Sequence, residues 1–122
     1  MAKNLGISIL YDFYGDLLTE KQQEVIELYY NEDLSLAEIA AHSGITRQGV
    51  RDSIKRAETL LSEFEEQLGL AHRFEQIKEI LDDISKTAFE IEQINSRLYN
   101  SKEISIRVGK ISNLAHQVAE LE

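Results

Sequence analysis

The 122-residue chain has no cysteine, no proline and no tryptophan, and only six glycines. The missing cysteine excludes disulfides, thiolate metal sites and a cysteine nucleophile, and it suits a reducing cytoplasm, where the chain is expected to work. The missing proline leaves long helices uninterrupted. Long apolar runs are absent too. The start, MAKNLGISILYDFYGD, is too short in its apolar part for a signal peptide, and no later run approaches a membrane span, so no membrane insertion is expected. A glycine-rich phosphate loop, a nucleophile elbow and an H-E-x-x-H motif are all lacking. His42, His72 and His116 are scattered, with no second ligand at the three- or four-residue spacing of a helical zinc site. Asp82, Asp83 and Glu79 crowd one helix as a solvated polar face. No active site, metal or cofactor is nominated, so a non-enzyme is expected. Positive charge is also scarce: 13 lysines and arginines face 22 acids, a net of −9.

What is present is mostly Glu, Leu, Ile, Ala, Lys and Gln, good helix formers that predict an all-α fold. The length suits one compact core plus one appendage. Leu5, Ile9, Phe13 and Leu17, with Leu10 and Tyr14 beside them, predict a first helix that stops near Gly15. Thr19 opens a second helix to about residue 32; Gln22 returns its capping bond, and Val25, Ile26, Leu28, Tyr29 and Tyr30 face inward. Ser35 and Glu38 form another capping box, opening a short third helix that ends at Gly44. Thr46 caps a fourth, running to about residue 68, with Val50, Ile54, Ala57, Leu61, Phe64 and Leu68 along one side. Its last three turns are expected to run past the compact part. Tyr11, Phe13, Tyr14, Tyr29 and Tyr30 are read as core between the first three helices rather than as a platform for stacked bases.

After Gly69, the one candidate hinge, the pattern narrows to Phe74, Ile77, Leu81, Ile84, Ala88, Ile91, Asn95 and Leu98 at alternating three- and four-residue spacing. That is a seam for another helix. The register fails at Lys102 and restarts with Ile104, Val108, Ile111, Ala115 and Val118, so YNSKE reads as a turn. The seam closes either against residues 104–118, as a helical hairpin or bent arm, or against a second copy, making a homodimer. In the first case Asn95 specifies register rather than adding stability. The expected division is a helix-turn-helix domain over residues 1–70 and a C-terminal interaction or dimerisation arm over residues 71–122.

Helices three and four, joined at Gly44 with Ile39, Ala40, Ile45, Val50 and Ile54 inward, have helix-turn-helix spacing. At about 100° per residue, Arg47, Arg51 and Lys55 fall near 0°, 40° and 80° with Gln48 near 100°, while Val50, Ile54 and Leu61 cluster near 300–340°. Four of the 13 basic residues, Arg47, Arg51, Lys55 and Arg56, thus sit in one decapeptide whose only acid is Asp52. Arginine there suits guanine and Gln48 suits adenine, each worth roughly 1–3 kcal/mol of discrimination, with Lys55 and Arg56 on phosphate. The competing reading is a solvated face in which Arg51, Lys55 and Glu58 pair with one another.

Residues 10–58, LYDFYGDLLTEKQQEVIELYYNEDLSLAEIAAHSGITRQGVRDSIKRAE, resemble the YlxM-like family of small bacterial proteins, most specifically in LYDFYG, LTEKQ, LYY and IKRAE. LTEKQQEVIELYYNEDLSLAEIA and GITRQGVRDSIKRAE are also similar to region four of bacterial sigma factors. By the second resemblance Arg47, Gln48, Arg51, Lys55 and Arg56 occupy positions that read promoter DNA. Gly49 departs from it, standing where a helix former is expected, and Arg51 stands where YlxM-like chains are expected to carry an aromatic. By the first resemblance the chain is a regulator or adaptor of the signal recognition particle pathway, binding the particle's GTPase or its RNA. The alternative is a dimeric DNA-binding transcription regulator that places two copies of the fourth helix in successive major grooves.

Overall fold

The computed structural model describes residues 3, 4 and 6–121. Leu5, read above as part of the first helix's apolar face, lies outside them. Among the described residues the chain is helical, with no strand: α1 Gly6–Tyr14 and a 3-10 turn Gly15–Leu17; α2 Glu20–Ile26 and a wide π turn Glu27–Asn31; α3 Leu36–Ser43; α4 Arg47–Leu68; α5 Leu70–Ile94 and a second π turn Asn95–Tyr99; α6 Lys102–Ala119. The chain divides into two compact units, Met1–His72 and Arg73–Glu122.

Local chemistry sets the boundaries in the first unit. The Thr19 hydroxyl accepts from the Gln22 amide at 3.2 Å, and Gln22 Oε1 accepts from the Thr19 amide at 3.0 Å. Ser35 and Glu38 repeat the exchange at 3.1 and 3.0 Å. These reciprocal bonds satisfy amides that a helix start otherwise leaves unpaired. Thr46 caps α4 through the Gly49 amide at 3.0 Å, and because the third helical residue is glycine there is no side chain to return the bond. Gly44 and Gly69 stop α3 and α4 at φ of 70° and 62°, in the left-handed region that costs glycine least.

Helix α4 is the spine of this unit, and α1, α2 and α3 each pack on it. Its Val50, Ile54, Ala57 and Leu61 are fully buried, together with Ile7, Tyr14, Val25, Ile26, Tyr29 and Ile39 from the other three helices. The five aromatics of α1 and α2 are buried or half-buried in this core.

Three expectations need correction here. The inward stripe of α1 is Ile7, Leu10, Tyr11 and Tyr14, whereas Ile9 and Leu17 are 56% and 59% exposed. The helix is apolar nearly all round at its start, so periodicity alone allows more than one stripe. Ile45 is exposed rather than inward, lying in the turn over the side of α4 that Gly49 leaves bare. The end of α4 does not overrun the core, because Phe64 stacks on Tyr14 with ring centroids 6.0 Å apart and Glu65 is held by α1.

The Glu65 contact joins three elements. The Tyr14 hydroxyl donates to Glu65 Oε1 at 2.6 Å and accepts from the Leu70 amide at 2.9 Å. The same carboxylate accepts from the amides of Ala71 and His72, both at 3.0 Å. A carboxylate from the end of α4 therefore caps the start of α5, and Gly69 supplies only the bend between them. Burial works against ionisation of Glu65, but the Tyr14 hydroxyl and the two amides outweigh it and hold the carboxyl below its usual range. Burial and the Glu65 hydrogen bond push the Tyr14 hydroxyl upward.

In the second unit the hairpin alternative is the one that forms. The Asn95 side chain, 2% exposed, donates to the Ser101 carbonyl at 2.9 Å and to Ser105 Oγ at 3.0 Å, and accepts from the Ser101 amide at 2.9 Å. Ser105 Oγ in turn donates to Glu92 Oε1 at 2.8 Å. These bonds close the turn, with Asn100 at φ 49° supplying the reversal. Ala88, Val108 and Ala115 are buried between the two helices. Small side chains thus take the fully buried places of the closed seam.

Candidate nucleic-acid interface

The turn at Gly44 sets α3 and α4 as a helix-turn-helix whose inner faces meet at Ile39, Ala40, Val50 and Ile54. Burying Val50, Ile54 and Ala57 fixes the rotation of α4 about its axis. That rotation presents Arg47, Gln48, Arg51, Lys55 and Arg56 to solvent, and all five are exposed. None of the four cations is in an ion pair among the described residues. They stand free to meet anions.

Glu58 does not pair with Arg51 or Lys55. It is half-buried and accepts a short hydrogen bond from the Tyr30 hydroxyl, which turns it toward α2. Burial, followed by the Glu58 hydrogen bond, pushes Tyr30 up to about 12. The first carboxylate beyond the basic decapeptide is thereby drawn to a phenol. This contact escaped sequence reasoning, since Tyr30 and Glu58 lie 28 residues apart.

Gln48 and Asp52 behave differently. Gln48 Nε2 donates to Asp52 Oδ1 at 3.0 Å, one turn along the helix. One N–H of the amide expected to hold adenine is therefore engaged within its own helix, and Asp52 leaves one negative charge beside the cations. Further along α4 the charge reverses: the groove lined by Lys55 and Glu58 continues to Glu63 and Glu66. The basic patch is confined to the first three turns, next to the positive end of the helix dipole. On α3, His42 Nε2 lies 3.3 Å from Glu24 Oε1.

The arm residues separate into two sets. Ala88 is buried, Phe74 and Leu81 are half-buried, and Ile77, Ile84, Ile91 and Leu98 are exposed. Among the described residues no group of three or more His, Asp or Glu is placed to hold a metal ion, and no helix is long and apolar enough to cross a membrane.

Comparison with known proteins agrees with this geometry. The family model UPF0122, of YlxM/p13-like helix-turn-helix proteins, matches residues 1–101. A UPF0122 protein of Thermoanaerobacter sp. (strain X514) is 45% identical over 117 residues, covering 96% of this chain and 94% of the relative. One from Desulforamulus reducens is 54% identical over 78 residues, 64% of this chain and 67% of the relative, and one from Acetivibrio thermocellus is 52% identical over 88 residues, 69% and 75%.

Proposed function

The chain belongs to the UPF0122 family of YlxM/p13-like helix-turn-helix proteins, and we propose that it is a cytoplasmic, non-enzymatic regulator that holds nucleic acid on the first three turns of α4. One observation carries this reading: Arg47, Arg51, Lys55 and Arg56 are exposed together, free of ion pairs, on the outer side of a helix whose inner side is core. Arg47 and Arg51 meet base edges in the major groove, Lys55 and Arg56 meet phosphate, and exposed Ile45 offers an apolar contact of the kind a thymine methyl makes. With Gln48 bonded to Asp52, recognition rests on the arginines. The acidic remainder repels phosphate, so binding is weak from a single chain and strongly salt-dependent. In this reading residues 1–70 bind and residues 71–122 serve as the interaction arm.

The test is fluorescence anisotropy with a random duplex at rising salt, followed by selection from a random-sequence pool. The reading expects micromolar or tighter binding at low salt and an enriched motif that the Arg47→Ala/Arg51→Ala variant loses. Equal, salt-insensitive signals from wild type and variant would end it.

The charge distribution favours a second reading. Residues 1–70 hold 13 acidic and six basic side chains, a net of −7, a surface suited to basic protein partners. Taken with the family resemblance, this supports an adaptor of the signal recognition particle pathway that meets the particle's GTPase, with the basic face of α4 on its RNA. Titration of purified particle GTPase and RNA against the chain decides it: binding below about ten micromolar to either favours the adaptor, and none at tens of micromolar removes it.

A further inference from the structure

The C-terminal hairpin closes on its small residues and leaves its large ones outside. Ala88 is 1% exposed and Ala115 is 5%, whereas Ile80 is 59% and Leu114 is 50%. Apart from Phe89, Leu98, Tyr99 and Ile106, the exposed apolar residues fall in order. On α5, Ile77, Ile80, Ile84, Ile91 and Ile94 follow alternating three- and four-residue steps, with Thr87 filling the remaining place. On α6, Ile104, Ile111, Leu114, Val118 and Leu121 do the same, with Arg107 in the gap. Each helix therefore carries a second heptad stripe, turned about 100° from the one that closes the hairpin.

Both stripes lie on one side. A groove lined by Ile80, Ile84, Thr87, Ala88, Ile91 and Ile111 joins them, placing α6's Ile111 beside the outer isoleucines of α5. The opposite side of α5 carries Glu75, Lys78, Asp82 and Lys86, all exposed. The hairpin is a two-helix layer with one surface mostly apolar and the other mostly polar apart from Phe89, and a helical layer of that kind buries its apolar surface against another layer. The surface is two helices wide and runs the length of α6, about 27 Å. That is of the same order as the roughly 800 Å² each partner gives to a stable interface.

The rims identify the occupant. Asp83 and Glu90 border the outer stripe of α5 on the side away from the seam, and Lys110 borders that of α6, with Glu103 two turns nearer the α5–α6 turn. A two-fold axis lying in the interface along the hairpin lays α5 of each copy antiparallel on α6 of the other. Glu90 of one copy then meets Lys110 of the other. The level is right as well: Ala88 and Ile111 share the groove, and two residues nearer the turn Glu90 stands beside Lys110. One surface that carries both halves of its own complement is the mark of a self-pairing interface. We infer that the apolar face of the α5–α6 hairpin is covered by the same face of a second copy of this chain, in a four-helix antiparallel bundle edged by Glu90–Lys110 pairs.

Sedimentation equilibrium of the full chain tests it. The expected mass is twice the 14.0 kDa of one chain at micromolar concentration. Ile84→Glu puts an unpaired charge in the interface and should raise the dimer dissociation constant on the order of 100-fold. Phe89→Glu, on the opposite side of α5, should leave it unchanged. Glu90→Lys and Lys110→Glu should each weaken the dimer about tenfold, and the double variant should recover it, because it rebuilds the pair with its signs exchanged. Circular dichroism confirms that each variant keeps its helices, and the wild-type mass stands whatever the variants do. A monomer at 100 micromolar overturns the inference. So does a dimer that resists Ile84→Glu, or a charge-exchanged chain no tighter than its singles.

Discussion

Tyr14 and Glu65, 51 residues apart, share a hydrogen bond of 2.6 Å inside the first unit. Between them they take up the amides of Leu70, Ala71 and His72, so the junction at Gly69 is fastened by side chains from α1 and α4. Tyr14→Phe removes the hydroxyl and leaves the carboxylate without its phenolic donor. The expected loss is about 1–3 kcal/mol of unfolding free energy in urea, with faster hydrogen exchange at Leu70. Unchanged stability and protection would mean that the bond does not hold the junction.

The same contact sets the acid limit of stability. Because the Glu65 carboxyl is held below its usual range when folded, its contribution is full above the unfolded value of about 4.3 and disappears as pH falls through the folded value. At the alkaline end, Tyr11 and Tyr30 are both pushed up to about 12 by burial and by the carboxylates of Glu27 and Glu58. Their stabilisation is full below about 10 and is lost as pH rises toward 12. Thermal melts across pH should show a plateau between these limits, and a spectrophotometric titration should show tyrosines ionising late.

On the basic face, Lys55→Ala should lower the slope of log affinity against log salt by about one unit with no change in sequence preference. Asp52→Asn should act oppositely, since it removes the one carboxylate of the decapeptide. An affinity gain of about threefold to tenfold in anisotropy is expected, on the scale of one charge contact near a surface. A loss would mean that the Gln48–Asp52 bond orders the helix for binding.

In the hairpin, Asn95→Ala leaves the Ser101 amide and carbonyl without side-chain partners. A cost of about 1–3 kcal/mol follows from removing a buried, fully bonded amide. It should be visible as early unfolding of the turn and increased exchange at Ser101.

What the sequence disclosed and what it concealed differ in range. The capping boxes at Thr19 and Ser35 and the stops at Gly44 and Gly69 depend on residues a few positions apart, and they stand where pattern reading puts them. The basic face is legible for the same reason: once Val50, Ile54 and Leu61 point inward, helical geometry fixes where Arg47, Arg51 and Lys55 point. The stripe of α1 was legible at Tyr14 but not at Ile9 and Leu17, which are exposed, because a helix apolar nearly all round at its start allows more than one stripe. Nor was the fate of Glu58, decided by Tyr30. The seam on α5 was read as a single stripe, yet of its residues only Ala88 and Asn95 are buried, with Phe74 and Leu81 half-buried. The fully buried apolar places of the hairpin are Ala88, Val108 and Ala115, a choice of volume that hydrophobic spacing does not express.

The most direct measurement is an amide chemical-shift titration of the isotopically labelled full chain with a random duplex. The account predicts shifts concentrated between Ile45 and Arg56 and reversed by salt. Shifts confined to other surfaces, or none at about 100 micromolar duplex, would contradict the assignment of α4 as the nucleic-acid interface.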